Sequence, residues 1–134
     1  MTSEIPPIPT VLVVDDEALI RWALSEGLTE AGYPVRQAAT GAEALTAAAA
    51  CADVPLVVLL DLRLPDVADL SLLRRIRALC PNAPVVIMTA HGSSDDAAEA
   101  SRLGAVAFVG KPFDVAELVR LVGEAWSRYQ HRAD

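Results

Sequence analysis

Five short apolar runs punctuate the chain, TVLVVD (10–15), PVRQA (34–38), PLVVLLD (55–61), PVVIMTA (84–90) and AVAFVGK (105–111). Each is too short for a helix and rich in Val, Ile and Leu, so each predicts a strand. Between them the apolar positions switch to a helical period. Ile20, Ala23, Leu24, Gly27, Leu28 and Ala31 fall on one stripe, with Arg21, Ser25, Thr29 and Glu30 facing away and Gly32 as a stop. Thr40 with Glu43 forms a capping-box pattern for a second helix. Leu72, Leu73, Ile76, Leu79 and Cys80 stripe a third, which exposes Arg74, Arg75 and Arg77 and stops before Pro81. A fourth helix is expected from about Ser94 to Gly104. Asp114 caps a fifth, striped by Val115, Leu118, Val119, Val122, Ala125 and Trp126.

A strand–helix unit repeated five times predicts a mostly parallel sheet covered on both faces and joined by right-handed crossovers. Five units are too few for an eight-stranded barrel, which leaves an open, doubly wound α/β sheet. Ligands of such sheets gather outside the carboxyl ends of the strands. The residues closing the runs are therefore the candidate site: Asp15, Asp16, Asp61, Thr89 and Lys111.

Composition narrows the reading. At 134 residues and 53% hydrophobic, the chain suits one domain with a core that needs no disulfide or structural metal. Cys51 and Cys80 lack metal-ligand spacing and read as small core or helix-end residues rather than a bridge. A net charge of −7 disfavours direct binding to nucleic acid. No apolar run is long enough to span a bilayer, and the proline-rich start lacks the pattern of a secretion signal, so a cytoplasmic protein is expected. Residues 1–9 read as a flexible lead-in, 10–128 as the domain and 129–134 as a polar tail.

Two adjacent carboxylates at one strand end and a third at another would raise one another's pKa values or demand a cation. Hard oxygen ligands suit Mg²⁺, which also keeps waters and a phosphoryl oxygen in its octahedron. Thr89 adds a hydroxyl and Lys111 a compact positive charge. Together they describe a phosphoryl-transfer site, with Asp61 the nucleophile that would become an aspartyl phosphate.

VLVVDDE, LLDLRLPD, VIMTAHG and FVGKPF, in this order and spacing, resemble the response regulator receiver domain of two-component signalling. DDEALIRWAL and MTAHGSSDDA are closest in wording to receivers of the nitrogen-regulator class. The resemblance implies a flavodoxin-like (βα)₅ fold with strand order 2-1-3-4-5. It implies Asp61 as phosphoacceptor, served by a histidine kinase or histidine phosphotransfer protein. Mg²⁺ would be held by Asp16, Asp61 and the backbone carbonyl of Arg63, with Asp15 acting largely through a metal-bound water. Lys111 would pair with the phosphoryl group, and the Lys111-Pro112 bond would be cis. Thr89 and Phe108 would be the switch pair, reshaping the face of the fourth helix, fifth strand and fifth helix for a downstream protein effector or a homodimer. Arg63 and His91 would tune dephosphorylation.

On this resemblance the chain is expected to be a phosphoacceptor switch rather than an enzyme. Three features depart from the family pattern: Asp69 where a glycine is common before the third helix, Ser101 in place of a larger aliphatic, and Ala107 in place of a polar residue. The chain reads as a stand-alone receiver, with a receiver portion of a longer transcriptional regulator as the alternative. A phosphohydrolase of the dehalogenase type expects a second acid two residues after its nucleophile, where this chain has Arg63. A non-phosphorylated interaction module would keep the fold without the chemistry.

Overall fold

The computed structural model describes residues 8–67, 69–90 and 94–133. Five strands and five helices alternate along the chain: β1 (Thr10–Val14), α1 (Ala18–Glu30), β2 (Val35–Ala38), α2 (Gly41–Ala50), β3 (Leu56–Asp61), α3 (Ser71–Leu79), β4 (Val85–Thr89), α4 (Ser94–Arg102), β5 (Ala107–Gly110) and α5 (Val115–Ala133). The strands form one sheet in the order β2-β1-β3-β4-β5, with every neighbouring pair parallel. This is the flavodoxin-like order.

Strand residues alternate between two cores because side chains on a pleated strand point to opposite faces. Val11, Val13, Val57, Leu59, Val86 and Met88 meet Leu24 and Leu28 of α1 and Leu118 and Val122 of α5. Leu12, Val14, Val58, Leu60, Val85 and Ile87 meet Ala44 and Ala48 of α2, Leu72, Leu73 and Ile76 of α3, and Ala100 of α4. The three central strands are apolar on both faces for this reason.

Packing of α1 on α5 is close. A Cβ on Gly27 would lie 2.7 Å from Val115 Cγ1. Gly32 (φ +99°) and Gly104 (φ +102°) follow α1 and α4 in the left-handed region, where glycine ends a helix without steric cost.

Several local expectations change. Leu79, placed on the α3 stripe, is 38% exposed because α3 ends there and the chain turns into Cys80. Ala31 is exposed beyond the end of α1, and Ser25 is half-buried with its Oγ shut off from water instead of facing away. Leu121 is half-buried against the second core together with Trp126. Glu43 closes its capping box one residue early, accepting from Ala39 N–H at 2.8 Å while its own N–H donates to Thr40 Oγ1 at 3.1 Å. Pro9 is buried, and α5 runs to Ala133, beyond the expected domain end at 128. Residues 1–7 of the expected lead-in lie outside the described residues. Among the described residues no helix is long and apolar enough to cross a membrane.

Candidate phosphoacceptor site

β1 and β3 are hydrogen-bonded neighbours, so the residues that close them meet at the carboxyl edge of the sheet. Asp15, Asp16 and Asp61 each bring a carboxylate oxygen to within 4.8 Å of the other two. Asp15 and Asp61 are buried, whereas Asp16 is exposed. Asp15 Oδ1 accepts from the backbone N–H of Glu17 at 2.9 Å, and Asp61 Oδ1 accepts from the backbone N–H of Arg63 at 3.1 Å. Each hydrogen bond reaches two residues ahead and orients its own carboxylate at the strand end.

Lys111 supplies the counter-charge. It follows β5, and its backbone N–H donates to Thr89 O at 2.8 Å, which fixes the start of the loop. Its Nζ reaches Asp15 Oδ2 at 2.7 Å and Asp61 Oδ2 at 3.2 Å. The Lys111-Pro112 bond is cis. Burial pushes Asp61 above the ordinary aspartate range and Asp15 adds to the effect, against the Arg63 N–H and the Lys111 charge. For Lys111 burial acts in the opposite direction, but Asp15, then Asp61 and Glu17, outweigh it and hold the ammonium protonated well above the usual range.

The donor set suits a hard divalent cation. Three carboxylates with mutually adjacent oxygens match the short metal–oxygen bonds and oxygen preference of such an ion, and one of them faces solvent for entry.

Thr89 is buried at the end of β4. Ile87 is paired with Phe108 and Thr89 with Gly110, so Thr89 and Phe108 belong to the same face of the sheet two residues apart in register. Phe108 is half-buried against the first core and borders a cavity of about 230 Å³ with Ala97, Ala100, Ser101 and Ala105. The structure thus brings Asp15, Asp16, Asp61 and Lys111 together, puts the Arg63 backbone beside Asp61 with its side chain exposed, and sets Thr89 on the adjacent strand. His91 lies outside the described residues.

Three contributors escaped the sequence reading. Glu17, the last letter of DDE, stands at the N-cap of α1 but makes no capping bond; its Oε1 lies 3.2 Å from Lys111 Nζ instead. Arg21 Nη1 donates to Asp15 O at 2.7 Å. Asp66 accepts from Gly41 N–H at 2.7 Å and Ala42 N–H at 3.0 Å, tying the loop after β3 to the first turn of α2. Glu17 and Arg21 lie one helical turn apart beside the acidic pair, which is a usable signal. Asp66 acts across 25 residues and left none.

The family described as response regulator receiver domain matches residues 11–123. The chain belongs to that family. The receiver is 43% identical over 122 residues to the DNA-binding transcriptional regulator NtrC of Escherichia coli K12, an alignment covering 91% of this chain and 26% of the relative. It is 38% identical over 108 residues to sporulation initiation phosphotransferase F of Bacillus subtilis 168, covering 81% of this chain and 86% of that one. The receiver therefore spans about a quarter of the NtrC-type regulators it matches. Among solved structures, a CheY-like response regulator receiver domain protein from Methanospirillum hungatei superposes with a TM-score of 0.85 at 25% identity, over 94% of this chain and 99% of that one. NtrX from Brucella abortus superposes with a TM-score of 0.82 at 32% identity, over 95% of this chain and 28% of that one. The nitrogen-regulator wording of the sequence agrees with these relatives.

Proposed function

We propose that this receiver accepts a phosphoryl group on the Asp61 carboxylate from the phosphohistidine of a histidine kinase or histidine phosphotransfer protein. It is a phosphoacceptor switch, not an enzyme acting on outside substrates. One observation carries the reading: the Lys111 ammonium contacts Asp15 and Asp61 at once, at the edge of an acid cluster of three. An Asp61 oxygen attacks the donor phosphorus, a P–O bond forms, and the P–N bond to the donor imidazole breaks. Lys111 balances charge on the transferred group, and the Arg63 N–H keeps the carboxylate oriented. Asp15, Asp16, Asp61 and the Arg63 carbonyl would hold Mg²⁺, which supplies charge neutralisation at the transferring oxygens.

Once Asp61 carries the group, the Thr89 hydroxyl donates to a phosphoryl oxygen, and Phe108 turns inward on the same face of the sheet. The face of α4, β5 and α5 then changes shape for a protein effector, or for a second copy of the chain. The shift extends only as far as the phosphoryl group contacts the two states differently. Arg63 and His91 tune the later loss of the group to water.

A protein donor is favoured by apolar surface beside the acids. On α1, Leu19 is 75% exposed and Trp22 60% exposed. Leu19 also borders an apolar hollow of about 220 Å³ with Ile20, Ala23, Pro112 and Phe113. Exposed large apolar groups of this kind mark contact sites.

The test is intact-mass spectrometry after exposure to a small acyl phosphate with Mg²⁺. One phosphoryl group is expected on the wild type and none on Asp61→Asn. Equal labelling of the variant would overturn the assignment.

A further inference from the structure

Cys51 and Cys80 are the C-cap residues of α2 and α3, both free and both buried in the same core. One oxygen links them: the Ala48 carbonyl accepts from Cys51 N–H at 3.0 Å and from the Cys80 thiol at 3.2 Å. The Cys80 sulfur is thus held against the helix turn that carries Cys51. Arg36, on the edge strand β2, places Nη1 3.6 Å from Cys51 Sγ. Among the described residues no cation stands at Cys80 in the same way; its thiol is pushed up by burial and, secondarily, by Cys51.

We propose that Cys51 and Cys80 form an oxidisable dithiol that a hydroperoxide closes into a disulfide joining the C-terminal ends of α2 and α3. The asymmetry sets the order of events. Cys51 has a guanidinium beside its sulfur, the kind of neighbour found at reactive cysteines, and it directly precedes the exposed turn at Ala52, Asp53 and Val54. Its thiolate attacks one peroxide oxygen. An S–O bond forms as the O–O bond breaks, the sulfur is oxidised to a sulfenic acid, and the leaving alkoxide or hydroxide takes up the proton that Cys51 released. Cys80 sulfur then attacks the Cys51 sulfur. An S–S bond forms as the S–O bond breaks, and the departing hydroxide takes the Cys80 proton to become water.

Closing the bridge strands no buried acceptor. When the Cys80 thiol leaves the Ala48 carbonyl, that oxygen still accepts the Cys51 N–H. The staple would hold α2 at its C-terminal end, while Asp66 already holds its N-terminal end.

The experiment uses the folded wild-type chain, treated with hydrogen peroxide, quenched, unfolded and alkylated. Loss of both alkylatable thiols is expected, with a Cys51–Cys80 linked peptide in the digest and recovery of both thiols on reduction. In Cys80→Ala a sulfenic-acid probe labels Cys51, whereas in Cys51→Ala it leaves Cys80 unlabelled. Two alkylatable thiols surviving in the treated wild type would overturn the proposal, as would links formed only between chains. The wild-type result decides the matter even if a variant fails to fold. Phosphorylation of Asp61 is scored separately on the same samples, so the two readings fail independently.

Discussion

Replacing Lys111 by Met isolates the electrostatics on which the site rests. The substitution keeps an apolar stem and removes an ammonium lying 2.7 Å from Asp15 Oδ2 and 3.2 Å from oxygens of Asp61 and Glu17. The Asp15 side chain is 0% exposed and that of Asp61 5%, so the variant leaves two buried carboxylates facing each other. Removing one partner of a buried ion pair costs about 3–5 kcal/mol. The Glu17 contact adds little, because that side chain is 59% exposed and such pairs contribute about 0–1 kcal/mol. Lys111 also keeps 10% of its own exposure, and a crowded carboxylate can take up a proton, which brings the net cost to about 2–3 kcal/mol. For a chain of 134 residues that is a fall in melting temperature of about 10 °C. The assay is thermal unfolding in EDTA at neutral pH, then with Mg²⁺. A divalent ion at a hundred times its Kd adds about 2.7 kcal/mol. Mg²⁺ should therefore return most of the lost stability, and should raise the variant more than the wild type, because no ammonium competes for the acids. A Lys111→Met protein as stable as the wild type in EDTA would refute the reasoning.

Three further outcomes are expected. The Gly41 and Ala42 amides hold Asp66 below the ordinary aspartate range. A depressed folded-state value gives stability that is present above the unfolded value and lost as pH falls through the folded one. Asp66→Asn should therefore destabilise at neutral pH and converge on the wild type in acid, read as urea midpoints; a pH-independent difference would argue against the bracket. Gly27→Ala should cost about 1–3 kcal/mol by pushing Val115 away, measured by denaturant unfolding. Trp22→Ala should slow phosphotransfer from a protein donor at least severalfold while leaving the rate with a small acyl phosphate unchanged; an equal loss with both donors would contradict a docking role.

The fold was legible because its signals are local and repeated. The runs ending in Asp15, Asp61 and Lys111 are each bounded by turn residues and followed by one-faced helices, and that alternation leaves few topologies for a chain of this length. The acid cluster followed from topology alone, since neighbouring parallel strands deliver their last residues to one edge. Side-chain destinations were less accessible. Nothing in DDE shows that Glu17 would leave α1 uncapped to reach Lys111, and the Asp66 bracket exists only once α2 stands beside the loop after β3. Leu79 departed from its expected face because a helical stripe marks the sheet-facing side but not where a helix ends.

The most direct test of the central claim locates the phosphoryl bond itself. After incubation with acyl phosphate and Mg²⁺, borohydride reduction converts an aspartyl phosphate to homoserine, and peptide sequencing by mass spectrometry finds the altered residue. Homoserine at position 61, and at neither 15 nor 16, is the predicted result. Reduction at another carboxylate, or no reduction in a chain that binds Mg²⁺, would contradict it.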